Sequence, residues 1–328
     1  MKPRTLLVFA VVAFLLALAS TSTSARLNRT QADTAASQGN APANSLEQRI
    51  ALEVALIRNG EQDGLAPLKL GRLWAHLAID YEDEAEFTKA ESAYNHSLRI
   101  LKLLPAGQAD YANVLDNLGS MYLMQENPAE AERCSRTSLA VREKIGDKLQ
   151  VARGRWHLAE VELGRQRAKE ARLDALEAYN EMVDLKDPQT SDLVSALITL
   201  VYAECSHDSC MDGVTHANRS LALARGAKPE DAIRIGQALL ALGYAEWKSG
   251  MRDGPELAMR ESIAIFKAQK SGGRIYALRG MEQYRSYLDA NRRAPEARQV
   301  ALEQEQLKKQ SGYCLNCTVS IYGLGNGR

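Results

Sequence analysis

Apolar residues recur at helical spacing in the segment Tyr111–Gly146, which predicts two helices joined by a short turn. Leu115, Leu118 and Tyr122 share one face of the first helix. The pair Asn127–Pro128 ends that pattern, because proline inside a helix removes a backbone donor. The apolar face of the second helix consists of Ala131, Cys134, Ser138, Leu139 and Val141.

Two small residues indicate how these helices pack. Gly119 in the first helix and Ala131 in the second leave room for two helix backbones to cross closely. A single helical hairpin cannot bury its own apolar face. We therefore expect further copies stacked against this one.

The arrangement does recur, at shifts of 40–42 residues along the chain. The positions that correspond to Leu118 are Leu77, Leu158, Leu200, Leu242 and Tyr284. A second marker, in the later helix of each pair, appears as Ser97–Leu98, Ser138–Leu139, Ala178–Tyr179, Ser220–Leu221 and Ser262–Ile263. Six hairpins at so regular a period predict an all-α fold built as a solenoid.

The residues from Trp74 to Tyr94 read W-x-x-L-A-x-x-Y and then A-x-x-x-Y, which resembles the tetratricopeptide repeat. The 42-residue period, Asn117-Leu118-Gly119 and Leu139-x-x-Arg142-Glu143 resemble the longer repeats of kinesin light chains. This resemblance implies a right-handed α-solenoid of about six tetratricopeptide-like hairpins over residues 65–311.

Two copies depart from the repeat pattern. The third has Arg155 and Glu162 where the motif has large apolar or aromatic residues. The fifth has Pro255 where the motif has alanine. Because proline is tolerated in the first turn of a helix, we expect the second helix of that hairpin to begin at Pro255.

The first 25 residues have the features of a signal peptide. Lys2 and Arg4 precede the apolar run Leu6–Ala19, and small polar residues follow, with cleavage expected after Ala19 or Ala25. The alternative is a membrane anchor, but a bilayer requires about 20 apolar residues and the run has 14. We therefore expect export, without a stable membrane anchor after cleavage.

Three further segments flank the repeats. Residues 26–44 are polar and lack apolar periodicity, which indicates a disordered leader. Residues 45–64, where Ser45 and Gln48 form a candidate capping box, predict a helix that covers the first repeat. Residues 312–328 form a C-terminal tail that contains a C-x-x-C pair.

The charge balance limits the classes of partner. The 328-residue chain has 41 basic and 41 acidic residues. Loss of Lys2 and Arg4 with the signal peptide leaves 39 basic residues against 41 acidic ones. This near-neutral balance gives no electrostatic reason to expect nucleic acid or an anionic membrane.

Cys205 and Cys210 bracket the turn inside the fourth hairpin, with His207 between them. A zinc site with Asp208 or Asp212 is one interpretation, but the ligands would crowd into a single turn. In an exported protein a disulfide that pins the turn is the better interpretation. Cys134, on the packed face of the second hairpin, is expected to be a buried thiol.

Cys314 and Cys317 allow three interpretations: a structural disulfide, a redox-active pair or half of a metal site. In thioredoxin-like enzymes such a pair opens a helix after a strand, whereas here it follows a helix and lies in the tail. We favour the structural disulfide.

Catalytic patterns are lacking. The five histidines are scattered without an HExxH or triad context, and no helix follows the glycines at 323–327 to bind a phosphate. The sequence therefore predicts a protein that is not an enzyme and needs no cofactor.

The candidate binding surface is the concave side of the solenoid, which the first helix of each hairpin lines. The side chains expected to face it are Asn113, Asp116, Asn117, Trp156, Glu160, Tyr202, Gln237, Tyr244 and Trp247. The resemblance implies that Asn117, and less strongly Asn113, clamps the backbone of a bound peptide. The aromatic residues either contact the ligand or pack between adjacent hairpins.

The sequence thus favours an exported scaffold that binds an extended peptide or partner protein, of neutral or basic character, in this groove. The bacterial envelope, as a periplasmic or secreted protein, is the preferred location. The alternatives are a redox accessory protein that uses Cys314 and Cys317, and a structural module of an envelope assembly. The sequence does not specify the oligomeric state.

Overall fold

The computed structural model describes residues 46–84, 86–186, 188–206, 210–269 and 273–310, and within them the chain forms thirteen α-helices. The first seven are α1 (Leu46–Gln62), α2 (Pro67–Asp83), α3 (Phe87–Leu101), α4 (Gln108–Met124), α5 (Pro128–Ile145), α6 (Lys148–Gly164) and α7 (Ala168–Val183). The others are α8 (Thr190–Glu204), α9 (Met211–Gly226), α10 (Ala232–Lys248), α11 (Pro255–Ala268), α12 (Gly273–Ala290) and α13 (Ala294–Gln310). The signal peptide, the leader, Ser45 and the tail with Cys314 and Cys317 lie outside the described residues.

Helices α2 to α13 pair into six consecutive hairpins, and α1 packs against α2. We number the hairpins one to six in chain order. Each hairpin packs on its neighbours, so the apolar core continues from one hairpin to the next. The predicted all-α solenoid of six hairpins is confirmed.

The second hairpin shows why the repeat pattern produces this geometry. The Asn127 side chain accepts a hydrogen bond from the backbone N–H of Glu130, which caps α5 just before Pro128. A Cβ at Gly119 would lie 3.4 Å from the carbonyl oxygen of Ala131. The two helices therefore cross as closely as the small residues predict.

The serine of the repeated Ser–Leu pair has a structural role. Ser97, Ser138 and Ser262 each donate a hydrogen bond to the backbone carbonyl 26 residues earlier, on the first helix of the same hairpin. Gln304 in hairpin six donates an equivalent bond to the carbonyl of Leu278. These buried bonds fix the axial register of the two helices, since a slip would leave buried polar groups without partners.

The two departures from the repeat have clear structural outcomes. Arg155 in the third hairpin forms ion pairs with Glu177 and Glu181 of α7, where an apolar contact would otherwise form. Pro255 is the first residue of α11, which confirms the predicted start of that helix. The repeat therefore tolerates both changes without loss of a helix.

The first helices of the hairpins form the inner side of the solenoid. Neighbouring first helices pack on each other, from α2 and α4 through to α10 and α12. Next-but-one helices also meet, because Tyr202 of α8 donates a hydrogen bond to Gln283 of α12, 3.4 Å away. Glu82 lies in hairpin one, and burial raises its pKa to about 8. The positive charge of Arg279, in hairpin six, opposes this rise, so the two hairpins are close enough to interact. The hairpins therefore curl tightly.

None of the helices in the described part of the chain is long and apolar enough to cross a membrane.

Candidate functional site on the inner helices

Charged side chains gather on the inner side between hairpins two, three and five. We call this group the inner charged cluster; its members are Asp116, Arg142, His157, Glu160 and Arg234. All five side chains are buried. Burial of a charge is costly unless partners compensate it, so the partners of each group decide what the cluster can do.

Arg142 is the centre of the cluster in the second hairpin. It extends from α5 to α4, where its Nη2 donates hydrogen bonds to Asp116 Oδ2 at 2.5 Å and to Asn113 Oδ1 at 2.8 Å. Its Nε donates to Ser138, and its Nη1 donates to Gln150 of the next hairpin. The guanidinium therefore fixes Asn113 and Asp116 in place and links two hairpins.

His157 of α6 lies between two carboxylates. Its Nδ1 is 3.1 Å from Glu160 Oε2, and its Nε2 is 3.7 Å from Asp116 Oδ2. Burial raises the pKa of Glu160, while His157 and then Arg234 oppose the rise. Arg234 belongs to α10, two hairpins further on, so charges from hairpins two, three and five meet at this point.

Each carboxylate keeps one oxygen without a hydrogen bond. Asp116 Oδ1 and Glu160 Oε1 are both buried and have no partner within the described part of the chain. A buried acceptor without a donor costs about 1–3 kcal/mol, more when the group is charged. The inner wall therefore has two strong acceptors that a bound group could satisfy.

The predicted contact Trp156 belongs to the core. It packs among Ala152, Met182 and Leu193, and its Nε1 donates to Thr199 Oγ1 at 3.0 Å. Of the two alternatives for this ring, the structure therefore shows packing between adjacent hairpins. Because α6 is covered by α7 on one side and α8 on the other, the ring fills the space between hairpins three and four.

The other predicted aromatic residues form a continuous row. Tyr202 contacts Tyr244 with ring centroids 5.0 Å apart, and Trp247 meets the edges of Tyr244 and Tyr287 at 6.1 and 5.9 Å. Tyr202 and Tyr244 are buried, whereas Trp247 is half-buried. Tyr202 and Tyr244 therefore pack between adjacent hairpins. Of these three predicted residues, only Trp247 retains accessible surface.

The polar residues predicted for the groove are also less accessible than expected. Asp116, Asn117, Glu160 and Gln237 are buried, and Gln237 accepts a hydrogen bond from Arg234. Asn113 is half-buried, and its side chain is held by Arg142 rather than left over for a ligand. The Asn117 amide makes no hydrogen bond to another described residue, and its role in binding stays a prediction.

Sequence reasoning missed Arg142, His157 and Arg234 as parts of this site. One signal was available for Arg142: it lies 26 residues after Asp116, the same interval that joins Ser138 to Ala112. The roles of His157 and Arg234 depend on how tightly the hairpins curl, which no single repeat encodes.

The turn of the fourth hairpin brings Cys205 and Cys210 to disulfide distance. Their sulfurs are bonded and their Cα atoms lie 4.5 Å apart. Cys134 is a buried thiol, as predicted, and burial raises its pKa to about 12. No cluster of three or more metal-ligating side chains occurs among the residues that the structure describes.

The repeats match a known family model. Residues 69–144 and 110–180 each match the model described as tetratricopeptide repeat. No curated protein matches the chain by sequence.

Several solved structures share this fold at low sequence identity. RapI in its apo form is 12% identical with a TM-score of 0.64, covering 80% of this chain and 94% of that chain. BtubC (BKLC) from P. vanneervenii is 20% identical with a TM-score of 0.54, covering 69% of this chain and 92% of that one. A Rap protein complexed with Competence and Sporulation Factor is 15% identical with a TM-score of 0.54, covering 81% and 77%. The chain thus contains tetratricopeptide repeats within residues 69–180, in an α-solenoid similar to these structures.

Proposed function

We propose that this chain is an exported, non-enzymatic scaffold that binds an extended peptide or a segment of a partner protein against its inner helices. A solenoid presents a preformed surface, so little conformational entropy is lost when a segment binds along it. The binding face would run along α4, α6 and α10, where the inner charged cluster lies.

The observation that carries this proposal is the set of polar groups without partners on α4 and α6. Asp116 Oδ1 and Glu160 Oε1 are buried acceptors without a hydrogen bond within the described chain. Buried polar groups in folded proteins are nearly always satisfied. Two exceptions on neighbouring first helices support the proposal that another molecule supplies the missing donors.

Similarity of fold adds support. A Rap protein with the same fold has been solved in complex with Competence and Sporulation Factor. That ligand belongs to the Rap protein. For this chain, the similarity supports a ligand-binding role of the same general kind.

Export is supported by two independent features. Lys2, Arg4 and the apolar run Leu6–Ala19 have the order of a signal peptide. Cys205 and Cys210 form a disulfide, which persists mainly in oxidising compartments outside the cytosol. Mass determination of the chain recovered from its native cell tests this part, since cleavage after Ala19 or Ala25 removes a defined mass and an intact N-terminus argues against export.

Site-specific photo-crosslinking in the native cell tests the binding face. Asn113 and Trp247 are half-buried on first helices, and a photo-reactive residue at either position should capture the same partner. Leu173 on α7 is 63% exposed and serves as the control position. Adducts specific to Asn113 and Trp247 support the proposal, whereas adducts only from Leu173, or none, contradict it.

A further inference from the structure

The unsatisfied groups of the inner charged cluster are all hydrogen-bond acceptors. Asp116 Oδ1 and Glu160 Oε1 need donors, and a carboxylate can only accept while it is ionised. We propose that the bound segment supplies a cationic donor to these oxygens, as a lysine ammonium, an arginine guanidinium or an N-terminal amine. This inference rests on the proposed peptide-binding function and specifies the chemistry of the ligand.

Both carboxylates border the same residue, His157. Asp116 and Glu160 lie against opposite nitrogens of a single imidazole ring, that of His157. One backbone amide has a single N–H and serves one acceptor. An ammonium has three N–H donors and a guanidinium has five, so either group can donate to more than one acceptor.

The cations of the cluster are already engaged. Arg142 uses Nε, Nη1 and Nη2 for Ser138, Gln150, Asn113 and Asp116. Arg234 donates to Gln237, and its positive charge opposes the rise in the pKa of Glu160. An anionic ligand group would therefore meet two carboxylates without a free guanidinium to pair with, and like charges at close range are repulsive.

The buried position of the site implies that binding accompanies a small opening of the inner face. Each hairpin packs chiefly on its neighbours, so a modest rotation per hairpin accumulates along the solenoid. A cation that enters this low-dielectric site interacts more strongly with the carboxylates than it would in water.

Selection from a phage-displayed library of random dodecapeptides on the purified full chain tests this inference. The wild-type chain should enrich peptides that contain Lys or Arg. For one enriched peptide, Glu160→Gln should weaken binding at least about tenfold, because the amide keeps the shape of the side chain but loses its charge. Glu160→Asp should recover part of the affinity, and a circular dichroism spectrum identical to that of wild type shows that both variants are folded.

Each outcome of the selection has a distinct meaning. Enrichment of acidic or neutral peptides would overturn the cation site while leaving the proposed peptide binding intact. Equal affinity of Glu160→Gln and wild type for a basic peptide would do the same. If the library yields no binder at all, the proposed function itself fails together with this inference.

Discussion

Arg142 and Asp116 form a buried ion pair within the second hairpin, with Nη2 and Oδ2 2.5 Å apart and both side chains almost completely excluded from solvent. This contact joins the two helices of one hairpin and orients the carboxylate whose other oxygen lacks a partner. Asp116 therefore has two roles: one oxygen stabilises the repeat, and the other belongs to the binding site that we propose.

Arg142→Met should destabilise the chain by about 3–5 kcal/mol, because it leaves the Asp116 carboxylate buried without its partner. The matched control is Arg133→Met on the same helix, where the ion pair with Glu130 is exposed and contributes at most about 1 kcal/mol. Urea unfolding followed by circular dichroism measures both. Equal losses for the two variants would show that the buried pair is not a structural centre of the hairpin.

Ser262→Ala should cost about 1–2 kcal/mol, since it removes the donor to the buried carbonyl of Gly236, 2.7 Å away. Ser220 occupies the equivalent position in hairpin four, but its buried hydroxyl has no partner in the described chain. Ser220→Ala should therefore leave the unfolding midpoint nearly unchanged. If both variants lose the same stability, the serine–carbonyl bond does not fix the register of the hairpins.

Gly213→Ala should hinder formation of the Cys205–Cys210 disulfide. A Cβ at this position would lie 2.5 Å from the sulfur of Cys205 and 3.0 Å from that of Cys210. Gly226 closes the same helix with no atom within 4 Å of a Cβ, so Gly226→Ala is the control. Quantification of free thiols in the purified chain should show more reduced protein for Gly213→Ala alone, and full oxidation would contradict the packing around this turn.

Glu160→Gln should change how stability depends on pH. Burial raises the pKa of Glu160 in the folded chain, so in the absence of a ligand the ionised carboxylate destabilises the folded state. The contribution of Glu160 to the free energy of unfolding is therefore complete below the ordinary pKa of glutamate. It is lost as pH rises through the raised pKa. The variant should therefore gain stability relative to wild type as pH rises, as measured by urea midpoints from about pH 4 to 8.

Glu256→Gln provides the control of opposite sign. Hydrogen bonds from Arg293, and then from Tyr284, lower the pKa of Glu256. Its contribution is therefore present above the ordinary pKa of glutamate and is lost as pH falls through the lowered pKa. This variant should be less stable than wild type at neutral pH and approach it in acid, and parallel profiles for the two variants would contradict the assignment for Glu160.

The sequence was sufficient to predict the fold because each hairpin repeats the same local information. The spacing of Leu118 and its counterparts, the small Gly119 and the break at Pro128 each act within one hairpin or between neighbours. These short-range features determine the helices and their pairing. They do not determine how far six hairpins curl.

The accessibility of the inner side chains could not be predicted for the same reason. The sequence left open whether Trp156 contacts a ligand or packs between hairpins, and in the structure α8 covers the ring while Thr199 accepts its N–H. Glu160 and Arg234 interact across two hairpins, at a distance set by accumulated packing angles rather than by any local motif. Burial on the inner side is thus a property of the whole solenoid.

Hydrogen–deuterium exchange with a bound ligand tests the central claim most directly. The purified chain is measured alone and with the photo-crosslinked partner or a selected basic peptide. Our account predicts that protection on binding concentrates in α4 and α6, where Asn117 and Glu160 lie, and that Glu160→Gln reduces it. Protection confined to the second helices α5, α7 and α9, or no change in α4 and α6, would contradict binding at the inner face.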